Sequence, residues 1–179
     1  GGGPGVMAAD SATENEVPLA VLSESTLGVL DGKLPKQWSH GNPVDIIGDA
    51  PPQRFADAAA AVLADPGVDA LLALYSPVAV ASPEEAARAL AGAVKGSRKT
   101  VLAAWLGDIS PGRTRGYLEE QGLPNFYTPE NAVEAFSFLC AYQRNQAQLL
   151  EVPGALSSAV PRQRVDMSAV LAIRDRALA

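Results

Sequence analysis

The residues whose types and spacing invite chemistry stand first in the chain: Gly2-Gly3-Pro4-Gly5-Val6, followed by Met7-Ala8-Ala9. Glycines let a backbone come close to a ligand, and the small and apolar residues after them suit a helix. Free N–H groups at such a helix start, backed by the helix dipole, bind anions. A phosphate group is the ligand this predicts. The alternative reading is a plain strand-to-helix turn, because the run matches neither the G-x-G-x-x-G fingerprint nor the lysine-bearing P-loop. If the anion reading holds, a bulky residue at Gly3 or Gly5 obstructs the ligand more than it harms the fold.

A second group lies in Trp38-Ser39-His40-Gly41-Asn42-Pro43-Val44-Asp45. His40 is the sole histidine, and no partner acid can be assigned to it from sequence, so it reads as a solvated loop residue and not as a nucleophile. Asn42 and Asp45 flank a proline, where side-chain to backbone hydrogen bonds organise a loop. Cys140, among Phe136, Phe138 and Leu139, reads as a buried structural thiol. Arg113 and Arg115 point to different helix faces and read as solvated. No H-E-x-x-H, G-x-S-x-G or paired-histidine motif is present, so no catalytic residue and no metal ligand is assigned.

These residues need elements to position them. Short apolar runs alternate with longer segments of helical period, the pattern of βαβ units and a parallel sheet. Strands are predicted at 19–22, 44–47, 68–75, 100–106 and 125–127, and helices at 6–14, 25–30, 53–64, Pro83–Val94, 111–121 and Pro129–Leu150. Ser82-Pro83, Ser110-Pro111 and Thr128-Pro129 each put a hydroxyl at an N-cap and proline at the first helical position. The runs 68–75 and 100–106 lack polar alternation, as strands buried on both faces do. A glycine-rich turn normally follows a strand, so the sheet's first strand is expected upstream of this numbering. Residues 151–164 read as a linker, and 166–179 as one further helix with Val170 and Ile173 on one side. The expected organisation is a domain over 1–150 and a linker with a helix over 151–179.

Composition narrows the partners. The 179 residues suit one domain with a tail, hydrophobic residues make up 47% and charged ones 19%, and no apolar run approaches the roughly eighteen residues of a bilayer span. The net charge is -6 with scattered Lys and Arg, which argues against nucleic acid. One cysteine excludes an internal disulfide and a cysteine metal cluster, and favours the cytoplasm.

Gly1-Gly2-Gly3-Pro4-Gly5-Val6-Met7-Ala8-Ala9-Asp10, Leu34-Pro35, Trp38 to Asp45, Asp65-Pro66-Gly67-Val68-Asp69-Ala70 and Thr128-Pro129-Glu130-Asn131-Ala132-Val133 together resemble one family. It is the ligase-CoA domain of NDP-forming acyl-CoA synthetases, related to the carboxyl-terminal domain of the succinyl-CoA synthetase β subunit. The resemblance runs over about residues 1–150. It implies a flavodoxin-like doubly wound fold, and a parent that makes acyl-CoA from acid, CoA and nucleoside triphosphate through an acyl phosphate and a phosphohistidine. The parent is then expected to use ATP or GTP, Mg2+ and CoA, none bound by this domain alone. Expected partners are the parent's CoA-binding, phosphohistidine and ATP-grasp domains, with a homo-oligomer also compatible. By position, Gly2 to Val6 and the following helix would face the phosphohistidine. His40 departs from the family's phosphohistidine context, Ser-His-Thr-Gly-like and in a neighbouring domain, so that role is not carried to it. The resemblance implies a piece of a ligase, inactive in isolation. Two rivals are a regulatory or assembly domain in a GNAT-type acetyltransferase fusion and a free-standing flavodoxin-like binder.

Overall fold

The computed structural model describes residues 2–78, 82–107, 113–151 and 167–177. The apolar runs become parallel strands: β1 (Ala70–Tyr75) pairs with β2 (Thr100–Trp105) from Ala70 opposite Thr100 to Tyr75 opposite Trp105. β2 pairs with the short β3 (Asn125–Phe126), giving the order β1-β2-β3. Val101 to Trp105 are all buried, so the missing polar alternation of β2 reflects cover on both faces.

Six helices flank the strands in the first of two compact units, Gly1–Asn145: α1 (Gly2–Glu14), α2 (Glu24–Lys33), α3 (Pro52–Ala64), α4 (Pro83–Val94), α5 (Arg113–Glu120) and most of α6 (Pro129–Leu150). Local signals explain their starts. Ser82 and Thr128 accept from the N–H groups of Glu85 and Asn131, and Ser23 does the same for Thr26. The Ser110-Pro111 start lies outside the described residues.

Side chains of β1 alternate between two cores. Leu71 and Ala73 face α3 and α4, where Ala59, Ala86, Ala87 and Leu90 surround a stack of Tyr75 on Trp105 with ring centroids 4.9 Å apart. The alanines allow close helix approach, and the indole N–H is satisfied by the Pro83 carbonyl at 3.2 Å. Leu72 and Leu74 face the other way, against Ala8 and Ala12 of α1 and Val133 of α6. A third core holds Leu22, Leu30, Trp38, Val62 and Val68.

Several expectations are corrected. Residues 19–22 and 44–47 form no strand. Side chains meet part of their backbone instead: Asn42 Nδ2 donates to the Ala20 carbonyl at 2.9 Å, and the Ile47 N–H donates to Asp45. The first helix starts at Gly2, four residues before the expected start at Val6, so the glycines are its first turn and not a turn ahead of it. Cys140 is half-exposed, with Phe138 and Leu139 exposed beside it. α6 has no fully buried residue after Val133, so Cys140 and its neighbours lie on a stretch of helix that the core of this unit does not cover.

The second unit, Gln146–Ala179, contains the end of α6 and α7 (Met167–Ala177). Val170 and Ile173 are exposed. Residues 152–166, most of the expected linker, lie outside the described residues.

Candidate functional site

α1 opens beside the C-terminal end of β1. Its first turn carries the N–H groups of Gly2 and Gly3, which no preceding turn of helix can accept, while Pro4 brings none. The dipole adds partial positive charge there. The loop bearing Asn42 and Asp45 lies against this turn, and Gly2, Gly5, Val6, Asn42 and Asp45 line one cavity with Ser76. Two segments about 40 residues apart are thereby brought together.

The loop is held by its own side chains. Ser39 Oγ donates to the Pro43 carbonyl at 2.7 Å and accepts from the Asp45 N–H at 2.9 Å. Asp45 Oδ1 accepts from the Ile47 N–H at 2.9 Å, closing an Asx turn that holds Ile47 at φ 68. A β-branched residue is rare in that region and costs on the order of 1–3 kcal/mol, so the turn must be over-determined by its neighbours. The Asn42-Pro43 peptide is cis.

The three glycines differ in what surrounds them. A Cβ on Gly2 would stand 3.0 Å from Asp45 Oδ2, and one on Gly5 would stand 3.3 Å from the Pro43 side chain. These two glycines therefore admit the protein's own loop. A Cβ on Gly3 would meet nothing within 4 Å. Of the two positions where room for a ligand was expected, Gly5 faces Pro43 and Gly3 has open space beside it. Among the described residues Asp45 Oδ2 accepts no hydrogen bond, and it lies at the start of α1, which puts a carboxylate where the dipole favours negative charge.

His40 is an exposed loop residue as expected, but its ring is not free. Its Nδ1 lies 2.9 Å from Asp31 Oδ1 and its Nε2 lies 3.0 Å from the Lys36 carbonyl, at φ 51. Both ring nitrogens lie within hydrogen-bond distance of an oxygen, so the ring ties α2 to the loop. Arg115 is also not solvated: its Nη2 donates to the Trp105 carbonyl at 3.0 Å and its guanidinium lies 3.7 Å from the Tyr127 ring centre. Arg113 is exposed.

Sequence reasoning missed Asp65, named only within the run Asp65-Pro66-Gly67-Val68-Asp69-Ala70 that carries the family resemblance. Its carboxylate accepts from the Ser23 N–H at 2.8 Å, the Ser23 hydroxyl at 2.9 Å and the Gly67 N–H at 2.8 Å. Those bonds, the Ser23 N–H foremost, hold its pKa well below the usual carboxylate range. Aspartate two residues before a glycine is an Asx-turn signal that could have found the Gly67 bond. No spacing rule could have found Ser23.

A family model described as the ligase-CoA domain matches residues 1–151. The chain belongs to that family. This ligase-CoA domain is 35% identical over 147 residues to acetate–CoA ligase [ADP-forming] I of Archaeoglobus fulgidus, covering 82% of this chain and 21% of that protein. It is 33% identical to the alpha subunit of acetate–CoA ligase [ADP-forming] II of Pyrococcus furiosus, covering 80% and 32%. The apo form of dinucleotide forming acetyl-coenzyme A synthetase 1 from Ca. Korarchaeum cryptofilum superposes with a TM-score of 0.79 at 33% identity, covering 85% of this chain and 34% of that one. The fold is accordingly a flavodoxin-like α/β fold. The ligase-CoA domain spans between a fifth and a third of the length of these proteins.

Proposed function

We propose that the chain is the phosphoryl-facing domain of an NDP-forming acyl-CoA synthetase, working with CoA-binding, phosphohistidine and ATP-grasp domains of its parent in the cytoplasm. The observation that carries the reading is the start of α1: the Gly2 and Gly3 N–H groups point out of a helix N-terminus, and the space beside Gly3 is open. A phosphoryl group on a histidine of another domain would be stabilised by these oriented amides with no covalent bond to this chain. Pro4 leaves the Gly3 side without a competing donor at the next position. Nucleotide, Mg2+ and CoA are assigned to the other domains, and this chain's part is to orient and neutralise. The relatives compared are acid–CoA ligases, which favours a synthetase over an acetyltransferase fusion or a free-standing binder.

Gly3→Val in the intact parent tests the reading. Its side chain would grow into open space, so the melting temperature should stay near wild type while phosphohistidine formation falls at least roughly tenfold, the loss of one contact of about 1.4 kcal/mol. Gly5→Val should instead lower the melting temperature, because its Cβ presses on Pro43. Full phosphorylation in a Gly3→Val protein of normal stability would leave α1's start as a plain connection.

A further inference from the structure

His40 shares a loop with Asn42 and Asp45, and both of its ring nitrogens meet oxygens that can only accept. Nδ1 lies 2.9 Å from Asp31 Oδ1, and Nε2 lies 3.0 Å from the Lys36 carbonyl. An ionised carboxylate and a peptide carbonyl have no proton to give. A neutral imidazole donates from one nitrogen and presents a lone pair at the other, so it satisfies one of these oxygens and repels the second. The imidazolium donates to both. The arrangement is therefore complete in one protonation state of the ring only.

The surroundings hold the ring in this place. Asp31 Oδ1 also accepts from the Trp38 indole N–H at 2.8 Å, and Trp38 is buried in the third core, so the carboxylate is fixed from the protein side. The Trp38 and His40 rings lie 4.8 Å apart, within the usual span of an aromatic pair. At φ 51 the His40 backbone is left-handed, a conformation in which histidine is enriched over most residues with a side chain. Among the described residues Asp31 is the one titratable side chain bonded to the ring, and Lys36 meets it through its carbonyl. The next residue back, Ser39, bonds the Pro43 carbonyl and the Asp45 N–H. The contacts of His40 thus fix the near end of a loop whose far end sets Asp45 against the start of α1.

We propose that His40 is a pH-dependent latch on this loop, closed while the ring carries both protons and released on its Lys36 side when the ring loses one. The proton lost is that on Nε2, because the charged carboxylate of Asp31 holds the Nδ1 proton more firmly than an uncharged carbonyl holds the other. The Nε2 lone pair then faces the Lys36 oxygen and that contact opens, while the contact to Asp31 stays. Histidine changes charge between about pH 5 and 8, so the latch is closed on the acidic side of that window and open on the alkaline side. The side chains of His40 and Asp31 are 55% and 54% exposed, so the latch shifts the population of loop conformations and leaves the fold in place.

His40 is the sole histidine, which makes its ring signals unambiguous in a nitrogen-15 NMR titration of the labelled chain. Across the window of about pH 5 to 8 the ring should pass from protons on both nitrogens to a proton on Nδ1 alone, the opposite of the Nε2–H form that an unconstrained neutral histidine prefers. The backbone amide signals of Gly41, Asn42, Val44 and Asp45 should move along the same curve as the ring. His40→Gln keeps every other titrating group and should abolish that movement. In Asp31→Asn the neutral ring should hold its proton on Nε2 and the loop amides should lose their response. Loop amides that stay in place while the ring titrates overturn the proposal, as does a neutral wild-type ring protonated on Nε2. The same loop movement in His40→Gln overturns it too. The ring's own signals decide the matter even if a variant fails to fold, and phosphorylation enters none of these readouts.

Discussion

Asp45→Asn separates the two charges that compete for the start of α1. Asp45 Oδ2 lies 3.0 Å from the point where a Gly2 side chain would begin. The open side of Gly3 is one Cα step farther, about 3.8 Å, so a phosphoryl group held there sits roughly 6 Å from the carboxylate. A dianion and a monoanion about 6 Å apart repel by about 1.4 kcal/mol at the dielectric of water and about 5.5 kcal/mol at an effective value of 20. The site is open to solvent at its rim, so the lower figure is the safer one, and it corresponds to about tenfold in an equilibrium. Asparagine keeps an oxygen for the Ile47 N–H and removes only the charge. In the intact parent the variant should therefore raise the equilibrium level of phosphohistidine at least roughly tenfold, read as acid-labile phosphate after equilibration with acyl-CoA and inorganic phosphate. The gain should shrink as salt is added, since screening acts over about 8 Å at physiological ionic strength. An unchanged or lower phosphoenzyme level, in a variant that melts with wild type, refutes the placement of the phosphoryl group on the Gly3 side.

Three further outcomes follow from the geometry. Asp65 has a lowered pKa in the folded state, so its stabilising effect is present above the unfolded value near 3.8 and is lost as pH falls below it; melting temperatures should drop more steeply below about pH 4 for wild type than for Asp65→Asn. Leu30 is 0% exposed at the centre of the third core, so Leu30→Ala should cost about 2–5 kcal/mol in urea unfolding at unchanged slope, and a loss under about 1 kcal/mol would contradict that packing. His40→Ala in the parent should leave phosphohistidine formation in place while costing about 1 kcal/mol through its hydrogen bonds to Asp31 and Lys36; loss of phosphorylation with stability intact would make the ring a participant.

The parallel strands, the starts of α4 and α6 and the family were legible in the sequence alone. Each rests on local chemistry: an unbroken apolar run means cover on both faces, and a hydroxyl followed by proline means a capped helix start. The glycine run was legible as an expectation of an anion site, since the first turn of any helix leaves N–H groups unpaired. Tertiary structure decided what those glycines are for. Gly2 and Gly5 make room for Asp45 and Pro43, and only Gly3 opens outward, a difference that three identical residues cannot announce. The same holds for Asp65 and Ser23, which are 42 residues apart; for Arg115, whose charge rests on Tyr127; and for 19–22 and 44–47, whose apolar patterns name strands while the sheet ends at β1. Pattern along the chain reports which face of an element wants to be buried. It carries no information on which distant segment arrives to bury it, because that depends on the crossing of elements in three dimensions.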